Sequence, residues 1–109
     1  MRKISIIRKK SIIGCASKVL FYTMENYEKG MEITKDGCVF LGSLKNNAVL
    51  ECEISESELL LIAAYDNLGV FMVTDSIVIS KGSENVAISG KTKFDPSKGN
   101  PFIFDIWHN

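Results

Sequence analysis

Histidine, tryptophan and proline are scarce in this chain, with one, one and two copies among 109 residues. A serine or cysteine nucleophile needs a base within hydrogen-bond reach, usually histidine. His108 lies next to the C-terminal residue, where backbones fray, so it reads as a solvated side chain and a hydrolytic triad is not expected. An excess of charge is also missing: 13 Lys plus Arg balance 13 Asp plus Glu. Without a basic field the chain cannot displace phosphate counterions in bulk, which argues against generic nucleic-acid binding. Nor is there an acidic tail.

Cysteine is present but odd in number, as Cys15, Cys38 and Cys52. Three thiols do not close a disulfide framework, and their spacing fits no zinc pattern. They are expected to be reduced and buried, in a cytoplasmic protein. Long apolar runs are absent too. Ile12-Ile13-Gly14-Cys15 looks like a lipoprotein cleavage box. However, Arg8-Lys9-Lys10 cuts the apolar stretch a signal requires, so no signal and no membrane insertion are expected.

What the chain does have is apolar residue types in short runs punctuated by Gly, Asn and Asp. Hydrophobic residues make up 46% and charged residues 24%, ordinary values for one folded domain. From Ala48 to Ile54 the side chains alternate, with Ala48, Leu50, Cys52 and Ile54 on one face and Val49, Glu51 and Glu53 on the other. That is the pattern of a half-buried strand. Residues 4–8, 18–24, 31–35, 38–44, 70–74, 76–80, 86–90 and 102–107 read as further strands, with Asp36-Gly37 as a hairpin turn. Gly42 marks a bulge or close approach, and Asp75 a kink or bulge. The stretch opening at Ser55 and closing at Tyr65 is ambiguous. Ser55-Glu56-Ser57-Glu58 forms a capping box, and Leu59-Leu60-Leu61-Ile62-Ala63-Ala64 favours helix. Its strand-like neighbours favour a buried central strand. The chain is therefore predicted to be a single all-β domain over residues 1–109, an antiparallel β-sandwich or jelly-roll-like barrel of about eight to ten short strands.

Candidate sites divide between chemistry and packing. Glu51 and Glu53, with Glu56 and Glu58 after them, are close enough in sequence for paired-carboxylate chemistry, yet alternating acids usually mark the solvent face of a sheet. Asp36, Asp66, Asp75 and Asp95 lie in turns without the spacing of a calcium loop, and turn chemistry accounts for them. No metal and no cofactor is expected. Arg8-Lys9-Lys10 is the one basic concentration, read as protection of an edge strand rather than an anion-docking site. Among the aromatic residues, Phe102 and Phe104 should alternate into the core, with Trp107 plugging one end. Tyr27 and Phe94 stand beside loops, where a ring face suits the apolar face of a sugar.

The run Ile6-Ile7-Arg8-Lys9-Lys10-Ser11-Ile12-Ile13-Gly14-Cys15-Ala16, then a strand, then Leu41-Gly42-Ser43-Leu44-Lys45-Asn46-Asn47 resembles small uncharacterised bacterial β-sandwich domains. In those domains a basic strand and a glycine precede a strand pair whose turn reads roughly Gly-x-Leu-x-Asn-Gly. Asn47 stands where that pattern has its last glycine. The resemblance implies a β-sandwich and carries no activity. The function expected is a non-catalytic domain for protein interaction or assembly, with a protein partner or with itself as a homo-oligomer through an exposed strand edge. The alternative is a small-ligand or carbohydrate-binding module using Tyr27 and Phe94.

Overall fold

A computed structural model describes residues 1–14 and 16–105. Its strands are β1 (Arg2–Arg8), β2 (Val19–Glu25), β3 (Val39–Leu44), β4 (Val49–Ile54), β5 (Leu59–Asn67), β6 (Val70–Ile79), β7 (Val86–Thr92) and β8 (Phe102–Phe104). They form two four-stranded sheets, ordered β4-β1-β7-β8 and β3-β2-β5-β6. The chain is an all-β sandwich, as predicted. Ile4, Ile6, Val86, Ile88, Phe102 and Phe104 from the first sheet meet Val19, Phe21, Leu59, Leu61, Ala63 and Ile79 from the second in one core. Phe21 packs edge-on against Phe102, with ring centroids 5.4 Å apart, a favoured aromatic geometry. Gly90 lets β7 and β8 approach: a Cβ there would lie 2.5 Å from the Ile103 carbonyl oxygen and 2.6 Å from the Phe102 ring.

One strand pair departs from the antiparallel expectation, because β1 and β7 run parallel. A parallel pair needs a long crossover, usually through a helix. Here the chain passes through the second sheet between β1 and β7, and that sheet supplies the crossover.

The ambiguous stretch resolves as strand. From Leu59 to Ala64 every residue of β5 is buried. Leu59, Leu61 and Ala63 face the sandwich core, while Leu60, Ile62 and Ala64 join a second cluster with Tyr22 and Met24 on the outer face. A strand buried on both faces loses its period-two pattern, which is why the run looked helical. The capping-box residues 55–58 form no helix. The Arg2 side chain donates to the carbonyls of Ser55 and Ser57, both at 3.1 Å, and the Ser55 hydroxyl donates to Glu25.

Two turns differ from expectation. Residues 31–35 form no strand, and Asp36-Gly37 makes no hairpin turn; Lys35–Gly37 is a 3-10 turn within the connection between β2 and β3. Neither Asp36 nor Gly37 has positive φ, the conformation a type I′ hairpin requires. That role goes to Leu68-Gly69, with φ of 53° and 86°, joining β5 to β6. Asn47, with φ 62°, adopts the left-handed conformation that asparagine tolerates better than most residues. The bulge expected at Gly42 is present, with the register shifting opposite Phe21 and Tyr22. Residues 70–79 are one strand whose bulge falls at Thr74, beside Asp75.

The basic run is not edge protection. β1 is an inner strand, and Arg8 is 1% exposed. Its guanidinium donates to the carbonyls of Ser17 (2.6 Å), Leu44 (2.8 Å) and Gly14 (3.1 Å), and to the Thr92 hydroxyl (3.2 Å). A planar fork of N–H donors thus ties the 9–18 connection, the end of β3 and the end of β7 to one strand. Arg2 does the same at the opposite end of β1. Cys38 and Cys52 are free and half-buried, and burial raises both thiol pKa values above the ordinary one. Cys15, Trp107 and His108 lie outside the described residues.

Candidate functional site

The two outer faces of the sandwich carry different chemistry. On the first sheet, Lys3 pairs across strands with Glu53, Ser5 with Glu51 and Ala87, and Ile7 with Val49 and Ser89. Glu51 and Glu53 are exposed, as alternation implied, and sit opposite Ser5 and Lys3 rather than facing a cleft. At the end of this face the Lys9 ammonium lies 2.6 Å from Asp105, which also accepts from the Ser89 hydroxyl at 2.7 Å. The hydrogen bond from Lys9 holds the Asp105 carboxyl below its usual range, against a smaller upward push from burial, with Ser89 assisting.

On the second sheet the outer face is apolar. Tyr22, Met24, Leu60, Ile62 and Ala64 are buried there, beneath Tyr27, Ile33 and Cys38 from the 26–38 connection. Tyr22 packs at a tilt against Phe40 and edge-on against Phe71, at centroid distances of 5.3 and 5.2 Å. The cover is incomplete: Phe40 and Val78 remain 56% exposed and Val73 40%. Val73 stands opposite Ala64 and Val78 opposite Leu60, so both belong to this face. The face ends at β6, the longest strand at ten residues and an edge of its sheet.

Along that edge runs a groove of about 430 Å³ between β6 (Met72 to Thr74) and the 93–101 loop. It adjoins a cleft of about 600 Å³ at the sandwich end, bounded by Lys18, Tyr65 and Asp66 and sharing Met72 and Lys98 with the groove. The loop is held by its own hydrogen bonds. Lys98 N–H and Asn100 N–H donate to the Asp95 carbonyl at 3.0 and 2.9 Å, Ser97 donates to the Asp95 carboxylate at 2.6 Å, and Tyr65 Oη donates to the Asn100 carbonyl at 2.9 Å.

The two aromatic candidates fall at opposite ends of β6. Phe94, 71% exposed, lines the groove beside Met72 and Val73. Tyr27 packs on the outer-face cluster and borders a separate hollow with Leu60 and Val78. Val78 lies five positions beyond Val73 on the strand, roughly 17 Å at the rise of a β-strand, so the structure does not gather Tyr27 and Phe94 round one small ligand. Phe102 and Phe104 are buried. Sequence reasoning passed over Lys93 and Lys98, which flank Phe94 in the groove. Lys93 directly before Phe94, and Lys98 four positions after it, were the available signal; that β6 is an edge was not visible.

Among the described residues no three His, Cys, Asp or Glu side chains gather as a metal-ligand set, and no helix is long and apolar enough to cross a membrane. Comparison of the chain with protein-family models, with curated proteins and with solved structures finds no match.

Proposed function

We propose that this chain is a non-catalytic interaction or assembly domain, working in the cytoplasm, that docks on a protein partner or a second copy through the β6 side of its second sheet. One observation carries the reading: the outer face of that sheet stays largely apolar up to its β6 edge, where Val73 and Val78 are exposed on either side of Ser76. A sheet face of this kind, next to backbone N–H and C=O groups that no strand among the described residues pairs, is suited to association. The free thiols Cys38 and Cys52 fit a reducing compartment.

Light scattering and affinity capture, on the wild type and on a Val73→Lys/Val78→Lys variant, test the proposal. A defined oligomer or retained partner that the variant loses is the expected result. A strict monomer with no retained partner counts against it. A second reading, carbohydrate binding, draws on Phe94, which presents a bare ring on an ordered loop; silence across a glycan array retires it.

A further inference from the structure

Building on the interaction reading, we propose that the groove between β6 and the 93–101 loop takes an extended acidic peptide, which adds to the sheet as a fifth strand beside β6. Three features point there. First, among the described residues β6 is the edge of its sheet, and an antiparallel edge turns every second residue's N–H and C=O outward, ready for another strand. β8, the neighbouring edge of the opposite sheet, covers only three residues, and its Phe104 N–H donates to the Asp75 carboxylate at 2.8 Å. The inward-turned Asp75 and the bulge at Thr74 thus close the seam at mid-strand and confine addition to the half of β6 next to the groove.

Second, the groove is elongated. Through Met72 and Lys98 it continues into the end cleft, which passes from Met72 of β6 to Tyr65 of β5 and Leu20 of β2, a longer run of contact than a compact solute would use. Phe94, Met72 and Ile103 offer apolar surface to alternate side chains of such a strand.

Third, ammonium groups outnumber carboxylates along the path, with Lys18, Lys93 and Lys98 against Asp66 and Asp95. Lys93 and Lys98 line the groove and Lys18 the cleft, and none of them enters an ion pair within 4.0 Å among the described residues. The acids nearby are turned into their own loops: Asp66 accepts the Gly69 N–H at 2.8 Å and Asp95 the Ser97 hydroxyl. Carboxylates on the incoming strand would meet free ammonium groups, which sets preference and encounter rate more than raw affinity.

The probe is a fluorescein-labelled, end-blocked decapeptide of alternating valine and glutamate, titrated with the full chain. We expect saturable binding in low salt, weakened about tenfold or more by Lys93→Glu/Lys98→Glu or by raising the salt. N-methylation of alternate residues in the peptide, which removes its main-chain donors, should weaken binding by a similar factor. Both lysines are exposed, so the variant should keep the wild-type far-ultraviolet spectrum. No binding at about 1 mM protein, equal binding of a valine–lysine peptide, indifference to N-methylation, or displacement by inorganic phosphate alone would overturn the proposal. The last outcome would point to a small anion. If the peptide fails while a partner captured by the wild type is still lost on Val73→Lys/Val78→Lys, the interaction reading stands and this assignment falls.

Discussion

The two sheets are built from similar strands yet hold together differently. The first presents Lys3, Ser5, Glu51, Glu53 and Lys91 to solvent and buries apolar side chains on one face only. Its order relies on polar ties, above all Arg2 and Arg8, which bind backbone carbonyls at the two ends of β1. The second sheet buries β5 on both faces, so it carries a core inside and a smaller one outside. The physical lesson is that an outer face becomes apolar where the chain itself supplies a cover, here residues 26–38. Where that cover stops, at Phe40, Val73 and Val78, the leftover surface is available to another molecule.

The difference can be broken most sharply at Arg8. Replacing it by Met takes a donor from one buried and two part-buried carbonyls, and bonds to a charged donor are among the stronger ones. Denaturant unfolding of Arg8→Met should show a loss of about 3 to 5 kcal/mol. The next effect falls on the outer face of the second sheet. Ile62 is fully buried although it points away from the main core. Ile62→Ala should therefore cost about 3 kcal/mol, as a core truncation does. Ser5→Ala, at the matching place on the first sheet, should stay within about 0.5 kcal/mol. Equal costs at the two positions would erase the contrast between the faces.

Smaller still is the ion pair at the end of the first sheet. Asp105→Asn should lower stability at pH 7 by about 0.5 kcal/mol, the scale of an exposed pair. The sign with pH follows from linkage. The folded carboxyl titrates below its ordinary 3.8, so its contribution is complete above that value. It is lost as pH falls through the lowered folded one, and wild type and variant should converge in acid. Last come the thiols, for which no stability change is expected. Since burial raises the pKa of Cys38 and Cys52, each should react with a thiolate-selective reagent at pH 7 more slowly in the native chain than in denaturant.

Much of the fold was legible because β4 wears its period openly, with Leu50, Cys52 and Ile54 on one face and Glu51 and Glu53 on the other. Residues 31–35 also alternate and yet form no strand, because no neighbouring strand pairs with them; they serve the 26–38 connection, whose Ile33 covers the outer face. Arg8 misled because a charge beside two lysines reads as solvated. Only the 9–18 connection and the ends of β3 and β7, which converge on it, give its donors enough acceptors to make burial tolerable. The candidate site was half legible. Phe94 stood out as a loop aromatic, but its groove needs β6 beside it, and that edge is set by strand order.

The sequence by itself determined that this chain would be β and would need two layers, since alternating apolar stripes hide their greasy side only by packing on another sheet. Tertiary structure alone decided which strands lie at the edges, that β1 and β7 run parallel, and which outer face is covered. Those outcomes depend on contacts between residues far apart in the chain, which a local pattern of side chains does not encode.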